Sequence, residues 1–104
     1  MVTVEVTPRN LGMPGDTLVF VVSMNTHSVD LGMDLAALAT LTTDTGQVVP
    51  ATLWDAPRGG HHVSGKLMIP ATINGLPILD DAIKISLEIR DVDVELRTFE
   101  RTLQ

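Results

Sequence analysis

Ile83-Lys84-Ile85-Ser86-Leu87-Glu88-Ile89-Arg90 alternates apolar and polar side chains without a break. Successive side chains of a strand point to opposite faces. This stretch therefore reads as a strand that buries Ile83, Ile85, Leu87 and Ile89 and leaves Lys84, Ser86, Glu88 and Arg90 in water. The rest of the chain repeats the pattern. Val2, Val4 and Val6 alternate with Thr3, Glu5 and Thr7, and Leu18, Phe20, Val22 and Met24 share one face of Thr17 to Thr26. Val19 and Val21 make the second face of that strand partly apolar, which predicts a central strand covered on both sides. Val63, Leu67 and Ile69 fall in one phase, with Ser64, Lys66 and Met68 in the other.

Turn residues punctuate these runs. Pro8 and the stretch from Asn10 to Asp16 separate the first two strands. Asp44-Thr45-Gly46 sits between residues 39–43 and 47–54 and predicts a hairpin, with Gly46 supplying the positive φ of a tight turn. Pro50 cannot donate to a ladder, so residues 47–54 are expected at an edge or a bulge. Asp55 to Gly60 is a loop, and Pro70 to Asp81 is a longer connection containing Asn74-Gly75 and Pro77. After a turn at Asp91 to Asp93, Val94 and Leu96 are followed by Phe99, a slip of one position that predicts a β-bulge. Met33 to Leu38 is the one stretch with helical character, enough for at most a single short turn.

The count is about seven short strands at regular spacing, with no internal repeat and no domain boundary. The expected fold is all-β: a two-layer antiparallel β-sandwich of immunoglobulin-like type, forming one domain over residues 1–104. An open barrel is the alternative. Trp54 is the candidate for the central core position, since the chain has no Cys to pair and no Tyr for a tyrosine corner.

Composition sets limits on function. The chain has 104 residues, 44% hydrophobic, 19% charged and 3% aromatic, with 7 Lys+Arg against 13 Asp+Glu and a formal charge of −6. A net anion is not drawn to nucleic acid or to an anionic membrane surface. The longest apolar run, Leu18 to Val22, has strand length, so no membrane insertion is expected. Met1 to Glu5 lacks the basic and apolar regions of an export signal, which leaves a cytoplasmic protein or a domain cut from an exported one.

The chemistry-bearing residues are few. All three histidines, His27, His61 and His62, stand at strand ends beside loops, the last two inside Arg58-Gly59-Gly60-His61-His62-Val63-Ser64-Gly65. If the two strands end at one pole, the imidazoles converge, with Met24, Met33, Asp30 and Asp55 as further donors. Imidazole with thioether suits copper, and imidazole with carboxylate suits zinc. Without Cys a blue-copper centre is excluded, and any copper would be bound or delivered rather than used for fast electron transfer. Against a metal stands the period of the strand: His61 and His62 are neighbours and face opposite ways unless the backbone is irregular. On that alternative His61 lies at the core margin, His62 is solvated and His27 bonds a turn. Asp91, Asp93 and Glu95 alternate along one face and suggest a weak Ca²⁺ site or a solvated acidic face. No G-x-S-x-G elbow or phosphate loop is present, so an enzyme is not expected.

Asn25-Thr26-His27-Ser28-Val29-Asp30-Leu31, Thr43-Asp44-Thr45-Gly46, Trp54, Gly59 to Gly65 and Ile89-Arg90-Asp91-Val92 give the chain a resemblance to uncharacterised small prokaryotic domains of exported or lipoprotein type. The resemblance implies an immunoglobulin-like sandwich and a periplasmic or extracellular setting, with or without an anchor. The expected function is a non-enzymatic binding or accessory domain that holds a copper or zinc ion through His27, His61 and His62, with Met24 or Met33 as optional ligands. The alternative is a structural or protein-interaction module without metal. It would be a monomer, or a homodimer paired through an edge strand around Val48 to Leu53.

Overall fold

A computed structural model describes residues 1–103. The regular structure is mostly antiparallel β, in the order β1 (Val2–Pro8), β2 (Thr17–Thr26), α1 (Leu35–Leu38), β3 (Ala39–Thr43), β4 (Val48–Pro50), β5 (Leu53–Asp55), β6 (His62–Pro70), β7 (Thr72–Ile73), β8 (Leu76–Pro77), β9 (Lys84–Val92) and β10 (Val94–Thr102). One four-stranded sheet has the order β1-β2-β6-β5 and the other β10-β9-β3-β4, while β7 and β8 form a separate two-stranded hairpin. No helix among the described residues is long and apolar enough to cross a membrane.

Period-two alternation builds both sheets. In β9 the buried positions are Ile85, Leu87, Ile89 and Val92, and in β2 they are Leu18, Phe20, Val22, Met24 and Thr26. Inward side chains from both sheets, with Leu31, Leu35 and Ile78 from the connections, join one buried aliphatic cluster that includes Trp54 at 3% exposure. Ile83 lies outside the strand and is exposed, because β9 begins at Lys84. The hairpin at Asp44 to Gln47 is present, and Gly46 adopts φ 97°.

Several expectations change. Residues 47–54 are not one strand. Ala51 N still donates to Ala39 O at 3.1 Å, whereas Thr52 N donates to Met68 O at 2.9 Å, so the chain leaves one sheet and enters the other between these two residues. β4 and β5 are therefore edge strands of different sheets, each three residues long. Pro50 sits on an edge, as its missing N–H requires. β2 is central, as expected, but its second face is the outer surface, where Val19 and Val21 are half-buried beside Met68 and Lys66. No register slip occurs in β10: Val94↔Val92, Leu96↔Arg90 and Phe99↔Leu87 all keep one register. The inward face of β10 carries Arg97 and Phe99, both half-buried, while Leu96, opposite the exposed Arg90, points outward at 49% exposure and Val94 is 47% exposed. The irregularity lies instead at Asp91, φ 59°, which with Glu95 is left out of the ladder.

Candidate functional site

β2 and β6 are antiparallel partners with Asn25 opposite His62, so the end of β2 and the start of β6 share one pole. Thr26 N donates to His61 O at 2.9 Å, continuing the pairing past the ladder. The loop after β2 and the loop before β6 are stitched together: Leu31 N donates to Gly60 O at 2.9 Å and Gly59 N to Leu31 O at 3.3 Å. Asp30 completes the stitch, its Oδ1 accepting from Gly60 N at 2.7 Å. Gly59 and Gly60 have φ of 90° and 93°, a backbone that a side chain would strain, which is why this crossing carries two glycines. Arg58 stands 3.8 Å from Asp34, both well exposed, a pair that contributes little.

All three histidines thus gather at this pole, and all three are exposed. The His62 ring Nδ1 bonds Asn25 Oδ1 at 2.6 Å across the strands. His61 is not on the core side, because the ladder begins at His62 and the glycine turn before it turns His61 out to solvent. Of the other candidate ligands, Asp30 is at this pole but engaged by Gly60 N, and the rest lie elsewhere. Met24 is fully buried in the core, opposite Val63 on the face turned away from His62. Met33 is half-buried and packs on the core cluster. Asp55 pairs with Lys66, four positions along β6 from His62, or about 13 Å at strand rise. Among the described residues no group of three or more His, Asp or Glu stands close enough to hold a metal ion.

The acidic residues at the β9–β10 turn have a structural task. Asp93 Oδ2 accepts from Val2 N at 3.1 Å and lies 3.9 Å from the N-terminal amine. Arg97 donates from Nη2 to Val2 O at 2.8 Å and from Nε to Val92 O at 3.1 Å. Side chains, rather than a backbone ladder, thus tie the start of β1 to the neighbouring sheet. Asp91 and Glu95 do not extend a common face with Asp93, because the chain reverses between them.

Beyond that tie, β1 and β10 part and leave a cleft of about 180 Å³ lined by Val6, Phe20, Leu87 and Phe99. A shallower hollow of about 480 Å³ follows at the far end, where Leu11, Leu79 and Leu103 meet, and Arg101 lines both. Sequence reasoning missed this side of the molecule. The signal was available in Val94-Glu95-Leu96-Arg97-Thr98-Phe99, but two exposed aliphatic residues there mimic an inward phase.

Leu103 N donates to Ile83 O, which sets the hydrogen-bonding phase of the β9–β10 pair. From Arg97 onward the odd-numbered residues of β10 bond to β9, and the N–H and C=O groups of the even positions, Val94, Leu96, Thr98, Glu100 and Thr102, point away from it. Asp44 N donating to Lys84 O gives the same phase from the other side of β9. No strand pairs with β10 along its outer side among the described residues. Comparison with protein-family models, with curated proteins and with solved structures gave no match.

Proposed function

We propose that the chain is an immunoglobulin-like β-sandwich that serves as a non-enzymatic interaction module and accepts an extended partner segment at the edge of β10. The strand order supports the first part. Lettering β1, β2, β3, β5, β6, β9 and β10 as A to G places A-B-E-D in one sheet and G-F-C in the other, the arrangement of constant-type immunoglobulin domains, with β4 as an added strand beside C. The exported, lipoprotein-like setting rests on the sequence resemblance alone.

The observation that carries the interaction reading is the open edge of β10, nine residues long and flanked by exposed Val94 and Leu96. Long unpaired edges are templates for strand addition, and proteins usually blunt them. The edges at β4 and β5 are blunted by length, and β1 ends on Pro8. Panning a library of extended peptides against the protein and against Thr98→Pro tests this reading. Thr98 N–H points outward, so proline there spares the β9 ladder and removes a donor from the edge. Peptides that bind the wild type and lose binding to the variant are expected. Enriched peptides that ignore the substitution would overturn the reading.

A copper or zinc site remains the second reading, favoured by one observation: three exposed imidazoles share a pole. Loop movement would have to bring His27 and His61 to His62 and release the latter from Asn25. Calorimetric titration with Zn(II) and Cu(II) should then show saturable binding that is lost in the double variant His61→Ala/His62→Ala. Absence of saturable binding discards the site.

A further inference from the structure

The partner that best fits the β10 edge is present in the sequence itself. We infer that β10 pairs with the β10 of a second copy, antiparallel, about a two-fold axis at Thr98, joining two four-stranded sheets into one continuous sheet. This rests on the interaction reading and names its occupant. Charged side chains on an edge normally repel a second strand. Here Glu95, Arg97, Glu100 and Arg101 come in both signs, and their spacing makes the strand complementary to its own reverse.

The register follows from parity and charge. A two-fold axis normal to the sheet keeps both cores on the same side, so facing residues must be both odd or both even. The even set, Val94, Leu96, Thr98, Glu100 and Thr102, carries the free backbone groups and supplies the new ladder. Centring on Thr98 uses the whole length of β10 and sets Glu95 against Arg101 twice, once on each side of the axis. Leu96 then faces Glu100, and Val94 faces Thr102. Centring on Arg97 puts that guanidinium against its own copy, centring on Phe99 puts Arg97 against Arg101, and centring on Glu100 opposes two carboxylates. Centring on Leu96 stops the ladder at Thr98. Opposite charges directly across a strand pair stabilise it and like charges oppose it, so the Thr98 register is the one in which length and charge agree.

The cleft beside the edge supports the same geometry. Phe99, Phe20, Leu87 and Val6 line a hollow of about 180 Å³, walled on one side by Phe99, Glu100 and Arg101 of β10 itself. A strand laid on β10 covers this apolar surface as well as the backbone groups. The exposed Val94 and Leu96 gain facing neighbours on the outer side.

Sedimentation equilibrium over a wide concentration range tests the inference on four proteins. The wild type should show a monomer–dimer equilibrium, and Thr98→Pro should be monomeric with an unchanged β-rich circular dichroism spectrum. Glu95→Arg and Arg101→Glu should each weaken the dimer roughly 3- to 30-fold, since each turns two attractive pairs into repulsive ones. The double variant Glu95→Arg/Arg101→Glu should recover wild-type affinity, which no general loss of stability would do. A wild type that stays monomeric, a dimer indifferent to Thr98→Pro, or a double variant no better than the single ones would each overturn the inference. If the monomeric wild type still bound extended peptides lost in Thr98→Pro, self-pairing would fall while the interaction reading stood.

Discussion

Asn10 holds the loop between β1 and β2 with a single side chain. Its Oδ1 accepts from Val19 N at 2.9 Å, and its Nδ2 donates to Thr17 O at 2.8 Å and to Pro14 O at 3.2 Å. Asn10→Ala strands those backbone groups, and a loss of about 1–3 kcal/mol is expected in urea unfolding. Gly65 is constrained differently: a Cβ there would run into the Ala56 Cβ and the Asp55 carbonyl, because the chain after β5 passes directly over β6. Gly65→Ala should therefore cost about 1–3 kcal/mol as an overpacking substitution, measured the same way. Leu41, fully buried in β3, should cost about 2–5 kcal/mol on truncation to Ala. The core role of Leu41 was legible from alternation alone. The tasks of Asn10 and Gly65 were not, since both depend on which backbone passes nearby rather than on any local pattern.

At the scale of elements, the hop from β4 to β5 is the point where local reading and tertiary structure part. Gln47 to Trp54 contains one apolar run, and nothing in it marks a change of sheet except Pro50. Val49 and Trp54 are both buried, but in ladders with different partners, Leu41 and Leu67. Thr52 N makes the first bond of the new sheet, to Met68 O. Thr52→Pro removes that bond and should destabilise the fold by about 1–3 kcal/mol, whereas Thr52→Ala, which loses only a 3.3 Å hydroxyl contact to the same carbonyl, should cost less than about 1 kcal/mol. A thermal-melt comparison of the two separates the backbone role from the side-chain role. β10 was misjudged for a related reason. Period-two reasoning assigns faces by hydrophobicity, and an edge strand that presents Val94 and Leu96 to solvent inverts that signal.

For the molecule as a whole, the alternation of aliphatic residues in Val2 to Val6, Leu18 to Met24 and Ile85 to Ile89 was sufficient to foresee antiparallel β structure around one aliphatic core. The common pole of the histidines was legible as a condition, because the alternating phase of β2 and β6 was visible while their pairing was not. What could not be read is which side of the molecule stays open. That is settled by strand order, and strand order depends on contacts between residues as distant in sequence as Val2 and Arg97. The central claim, that the open edge of β10 is an interaction surface filled by its own copy, is tested most directly by amide hydrogen exchange followed at Val94, Leu96, Thr98, Glu100 and Thr102 on dilution. Slow exchange at high protein concentration that becomes fast on dilution, with the change shifted to roughly 3- to 30-fold higher concentration in Glu95→Arg, is the predicted result. Exchange at these amides that is equally fast at every concentration would contradict it.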